Sequence, residues 1–151
     1  MSLISKILPL ENILVDAESG SKKRVFERVG LLFENSQSIA RSQVFDSLFA
    51  REKLGSTGLG QGVAIPHGRI KNLRDAVAAF VKTDNPIPFD APDGAPVDMI
   101  FVLLVPERAT DLHLQLLGEL AQMFSNADFR EQLLASDDPA AIHQMFTDWQ
   151  E

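Results

Sequence analysis

Apolar residues recur along the chain at helical spacing, then at strand spacing, then at helical spacing again. Ser21 is placed to cap a helix running to about Asn35, because Val25, Val29, Leu32 and Phe33 share one helical face. Ser42 is placed to cap a second helix with Val44, Phe45, Leu48 and Phe49 as its stripe. That helix should stop near residues 51–54, where Gly55 opens a glycine-rich stretch. Residues 63–65 read as a short strand ended by Pro66, and 76–81 as another. Pro86, Pro88, Pro92 and Pro96 make residues 84–96 mostly turn or edge. Residues 97–105 are apolar apart from Asp98 and are stopped by Pro106, the pattern of a central strand buried on both faces. A helix is expected from Thr110, with Leu112, Leu116, Leu117, Leu120 and Phe124 on one side, followed by shorter helices over 128–134 and 138–148.

Helices and strands alternate through much of the chain, so the expected fold class is α/β. A single domain over residues 1–151 would hold a central sheet flanked by helices on both faces. Strand order and direction do not follow from the pattern. A length of 151 residues and a hydrophobic fraction of 45% suit one sizeable core.

The net charge of −7, with no basic stripe, argues against a nucleic-acid partner, whose binding rests on neutralising phosphates. An acidic surface suits a basic protein partner better. The absence of cysteine removes disulfides, thiolate metal sites and cysteine nucleophiles, and fits a reducing cytoplasm. The longest apolar run, 99–105, is far short of the ~20 residues that cross a membrane. The first residues lack a basic segment followed by an apolar core and a small-residue cleavage site. A cytoplasmic protein without membrane insertion is the expectation.

Two of the three histidines sit where chemistry would want them. His67 follows a strand end, between Pro66, which fixes the local backbone, and Gly68, which permits close approach. Its other reading is a turn histidine bonded to backbone. His113 lies in the first turn of the long helix and shares the inward side of Leu116, Leu117 and Leu120; it reads either as a boundary residue or as a second site histidine. His143, beside Ile142 on a late helix, reads as a solvent-edge residue.

Gly55, Gly58, Gly60 and Gly62 punctuate the loop ahead of His67, and Ser56 and Thr57 add hydroxyls. Such a loop can turn several N–H groups toward one anion. It is neither a P-loop, since no Gly-Lys-Ser/Thr follows, nor a dinucleotide motif, since a strand follows where a helix should begin. Arg51 precedes it at a helix C-terminus, where the dipole favours a cation and where its planar fork could also meet a phosphate. Asp90, Asp93 and Asp98 lack metal-loop spacing and read as turn carboxylates.

The string REKLGSTGLGQGVAIPHGR, residues 51–69, resembles the active-site segment of the mannitol/fructose-type IIA proteins of the bacterial phosphotransferase system. Within that family it looks most like the nitrogen-related IIA branch, a free-standing regulatory phosphocarrier. SKKR at 21–24, NPIPFDA at 85–91, PVDMIFVLLVP at 96–106 and LHLQLL at 112–117 extend the likeness over nearly the whole chain. The resemblance implies an α/β fold with a mixed sheet between helices. It implies that an HPr-like protein, phosphorylated on histidine, transfers its phosphoryl group to Nε2 of His67. It makes His113 the second active-site histidine and Arg51 the active-site arginine. Implied targets are potassium-uptake systems, sensor kinases and metabolic enzymes.

These roles agree with the chemistry of the residues. A neutral imidazole is a good nucleophile, and a hydrogen bond from Nδ1 to a backbone carbonyl would leave the Nε2 lone pair free. Phosphoryl transfer is mostly positioning and charge stabilisation. Arg51, His113 and the loop at Ser56, Thr57 and Gly58, with Gly68 beside His67, are the expected phosphoryl-binding groups. No metal or cofactor is required.

Two alternatives stand beside the regulatory carrier. One is a stand-alone IIA component of a fructose/mannitol-type sugar transport system, passing its phosphoryl group to a IIB cysteine. The other is a metal-binding module joining His67 and His113 to carboxylates such as Asp111 or Glu119.

Overall fold

The computed structural model describes residues 3–108 and 110–150. After two short 3₁₀ turns the chain runs through β1 (Ile13–Ala17), α1 (Lys22–Gln37), α2 (Arg41–Glu52), β2 (Gly58–Gly60), β3 (Val63–Ala64) and β4 (His67–Ile70). It continues through β5 (Val77–Ile87), β6 (Val97–Pro106), α3 (Thr110–Ser125), α4 (Ala127–Ala135) and α5 (Pro139–Asp148).

Among the described residues these strands make one six-stranded sheet in the order β1-β5-β6-β3-β2, with β4 also paired to β6. The sheet is mixed. β1 lies parallel to β5, and β3 and β4 lie parallel to β6, whereas β5 with β6 and β2 with β3 are antiparallel. β6 is its spine. Met99, Phe101, Leu103 and Val105 enter the core under α3, α4 and α5, while Ile100, Val102 and Leu104 enter the core under α1 and α2. Burial on both faces explains why this strand reads as a nearly unbroken apolar run.

Local chemistry sets the helix boundaries. Ser21 caps α1, its hydroxyl accepting the Arg24 N–H at 3.2 Å. Asn126 caps α4 and Asp138 caps α5, where Pro139 occupies the first turn. Ser42 does not cap α2. Ala40 holds the cap position, and the cap comes from α1, whose Glu34 carboxylate accepts the Arg41 N–H at 3.0 Å and its Nε–H at 2.9 Å. A carboxylate from a neighbouring helix has taken the role that a local hydroxyl was expected to fill.

The strands also depart from the pattern in the sequence. β5 extends to Ile87, well into the proline-rich segment. Pro86 lies where the pairing with β6 slips between Lys82 and Ile87, an exposed irregularity that tolerates a missing N–H. Phe89 and Ala91 beyond it are buried, so that segment packs as well as turns. β1 and β2 had no clear signal, being one short edge strand and a Gly-Leu-Gly triplet.

The strand expected at 63–65 does not end at Pro66 for good. The Pro66 carbonyl accepts the Leu103 N–H at 2.9 Å, and pairing resumes with His67 opposite Leu103. His67 therefore begins a strand, clamped along the spine of the sheet.

Candidate active site

Along β4 alternate residues turn to opposite faces. Gly68 and Ile70 turn toward the α1–α2 core, and His67 and Arg69 turn to the other side. Gly68 is small because α2 lies directly on it: an added methyl would overlap the Ser47 hydroxyl. The close approach it permits is therefore that of a helix. Ser47 Oγ donates to the Arg69 carbonyl at 2.9 Å and fixes α2 on β4. One turn further along the same face of α2, Arg51 reaches the site, its Nη1 donating to the Gly55 carbonyl at 2.8 Å.

His67 is half-buried, and its Nδ1 lies 2.9 Å from the Ile65 carbonyl oxygen. A carbonyl only accepts, so Nδ1 must carry the proton and Nε2 keeps its lone pair. Burial holds the His67 pKa below its ordinary 6.5, and the Arg51 and Arg69 charges add to the lowering. The Ile65 hydrogen bond and the Glu52 charge oppose it without reversing it. At neutral pH this imidazole is uncharged, with the Nε2 lone pair available.

His113, in the first turn of α3, brings its ring to 5.0 Å from that of His67, edge to face at 67°. Its pKa is also lowered, first by burial and then by the His67, Arg69 and Arg51 charges. Nε2 of His113 is buried and meets no hydrogen-bond partner among the described residues.

Around these residues the glycine loop is held from within. The Glu52 carboxylate is buried, accepts the Thr57 N–H at 3.1 Å and the Thr57 hydroxyl, and pairs with Lys22 Nζ at 2.8 Å. Lys22 also lies 4.6 Å over the Phe89 ring. Ser56 Oγ donates to the Phe89 carbonyl at 2.6 Å and accepts the Gly58 N–H at 3.0 Å. Gly58 packs on Ala91, where a Cβ would fall 2.9 Å from the alanine methyl. The Ser56 and Thr57 hydroxyls, expected to face the phosphoryl group, are engaged inside the loop and build its shape. Asp93 pins the next turn, accepting the Gln61 N–H at 3.0 Å and the Ala95 N–H at 3.1 Å.

Residues 6–149 match the family described as phosphoenolpyruvate-dependent sugar phosphotransferase system, EIIA 2. The chain belongs to this family. It is 44% identical over 151 residues to a nitrogen regulatory protein of Pseudomonas aeruginosa, covering 99% of this chain and 98% of that one. It is also similar to the crystal structure of nitrogen regulatory protein IIA-Ntr from Neisseria meningitidis, with 54% identity and a TM-score of 0.90 over 95% of this chain and 99% of that one. The IIA mannitol crystal structure from Escherichia coli shares the fold, with a TM-score of 0.77 at 18% identity over 91% of this chain and 96% of that one.

Two features of this EIIA type 2 chain were not read from its sequence. Residues 21–74 hold ten of the fourteen Lys and Arg side chains but only four of the twenty-one Asp and Glu. The segment bearing Arg51, His67 and Arg69 thus carries a net positive formal charge within an acidic protein. The second is Arg69 itself, which follows His67 by two residues along β4 and shares its face. The two-residue period of a strand would have revealed it had residues 67–70 been read as one.

The remaining candidates lie elsewhere. Nε2 of His143 is 3.0 Å from the Leu8 carbonyl oxygen, a structural tie from α5 to the N-terminal segment. Glu119 accepts the Leu3 and Ile4 N–H groups at 3.2 and 3.3 Å, so its carboxylate is committed away from the two histidines. Asp111 is exposed, Asp90 lies exposed 3.8 Å from Lys22, and half-buried Asp98 has its pKa raised by burial.

Proposed function

We propose that this chain is a regulatory phosphocarrier of the nitrogen-related phosphotransferase branch, accepting a phosphoryl group on Nε2 of His67 from a phosphohistidine HPr-like protein. The observation that carries this reading is the 2.9 Å contact between His67 Nδ1 and the Ile65 carbonyl, which leaves Nε2 as the free lone pair of a half-buried, neutral ring. As the new Nε2–P bond forms, the N–P bond of the donor breaks and the donor's ring regains its lone pair. The Nδ1 proton stays against Ile65.

Arg51 and His113 stabilise the equatorial oxygens, Arg51 with a planar cation and His113 with its unpartnered Nε2 as N–H donor. Ser56, Thr57, Gly58 and Gly68 shape the loop and the strand that aim these groups. Phosphorylation adds about two negative charges beside the Arg51 and Arg69 cations that act on His67. A target such as a potassium-uptake system or a sensor kinase would read that change by binding only one state. The names of the relatives at 44% and 54% identity support regulation over sugar transport.

Incubation with the phosphorylated HPr-like donor should add one phosphoryl group by intact mass, lost in acid and retained in alkali. An acid-stable adduct, or an adduct persisting in His67→Ala, would overturn the reading. Onward transfer to a IIB cysteine would favour the transport role instead.

A further inference from the structure

The arginine two residues beyond His67 has a position that the roles given above do not use. Arg69 stands opposite Val105 in the parallel register, on the face of β4 that carries His67. Its Nη1 donates to the Glu107 carbonyl at 2.8 Å, just past the end of β6 in the connection leading to α3 and His113. This bond anchors one edge of the guanidinium between the two histidine-bearing elements. It uses one of five N–H donors, and the side chain is exposed, so the rest remain available.

We propose that Arg69 binds the phosphoryl group carried on His67 and biases the transfer equilibrium toward retention by this chain. The proposal rests on phosphorylation of His67. An arginine anchored by one N–H presents a second planar edge to a tetrahedral anion, and the anchor reduces the rotamer freedom lost on contact. Arg51 is tethered in the same manner, Nη1 to Gly55, so the phosphoryl group would meet two forks, one from the C-terminal turn of α2 and one from β4. The Arg69 charge acts on both imidazoles, and each is pushed toward its neutral form by it. A cation that disfavours protonation of both rings favours a dianion bound to one of them.

The test uses Arg69→Gln and Arg69→Lys in the full chain, with circular dichroism confirming the fold. At equilibrium with the phosphorylated donor, Arg69→Gln should shift the ratio roughly tenfold toward the donor, the loss of about one charge-assisted hydrogen bond. By ³¹P NMR, its phosphoryl group should protonate at a pH higher by about one unit, because a cation that stabilised the dianion is gone. Arg69→Lys should lie between the two. A purely structural tie to Glu107 would leave the phosphoryl titration unchanged, and that result overturns the proposal.

Failure of the underlying reading is separable. If the wild-type chain takes no phosphoryl group on His67, the phosphocarrier function falls, whatever Arg69 does. If the wild-type is phosphorylated on His67 while Arg69→Gln matches it in both equilibrium and titration, only the role of Arg69 falls.

Discussion

The rings of His67 and His113 meet edge to face at 5.0 Å, one from the strand beside the spine of the sheet and the other from the helix that follows that spine. Parallel pairing of β4 with β6 sets His67 beside Leu103, and α3 returns over the same face after β6 ends. The pairing of the histidines is therefore a consequence of topology, set by the strand paired to the buried β6 and the helix that follows it. Burial lowers the pKa of both rings, and the charge of His67 lowers that of His113 further.

Replacing His113 by Ala should slow transfer while leaving the nucleophile intact. The loss of one preorganised donor to developing charge costs about 10²–10³ in rate. Single-turnover transfer from the phosphorylated donor should show that reduction with His67 still labelled at completion. A wild-type rate in both directions would make His113 a boundary residue of α3.

The pH dependence has a definite sign. Both imidazoles have pKa values below their ordinary 6.5 in the folded chain, chiefly because burial disfavours the charged form. In the interval between the lowered values and 6.5 the unfolded chain binds more protons than the folded one, so stability rises with pH there and levels off above 6.5. Stability is lost as pH falls through the folded values. Urea unfolding at a series of pH values should show this rise, and it should shrink in His67→Gln. NMR titration of the ring protons should place both midpoints under 6.5.

Much of this architecture is legible in the sequence wherever a short-range rule decides it. Ser21 caps the helix it was expected to cap, α5 forms where a helix over 138–148 was expected, and the run through β6 announces burial on both faces. Where a distant group decides, the local signal misleads. Ser42 lost the cap to Glu34 of another helix, and the Ser56 and Thr57 hydroxyls turned inward because Glu52 and the Phe89 carbonyl receive them. The positions of His67, His113 and Arg51 were readable from the segment at 51–69 and from helical spacing. Arg69 was not, because its meaning depends on residues 67–70 resuming a strand after Pro66, which only the pairing with β6 dictates.

Two glycines should respond oppositely to the same substitution. At Gly68 a methyl would overlap Ser47 and crowd the backbone of α2, an overpacking cost of roughly 1–3 kcal/mol that displaces the helix carrying Arg51. Gly118 lies exposed within α3 and a methyl there meets nothing within 4 Å, so Gly118→Ala should stabilise by about 0.5–1 kcal/mol. Denaturant unfolding measures both. Phosphorylation should slow in Gly68→Ala and remain at the wild-type rate in Gly118→Ala.

The central claim is that Nε2 of His67 carries the phosphoryl group, because Nδ1 is held as a donor to the Ile65 carbonyl. The direct measurement is a phosphorus–nitrogen correlation by NMR on ¹⁵N-histidine-labelled protein after transfer from the phosphorylated donor. The account predicts one phosphorus signal coupled to Nε2 of His67, absent in His67→Ala. A signal coupled to Nδ1, or to a nitrogen of His113 or His143, would contradict it.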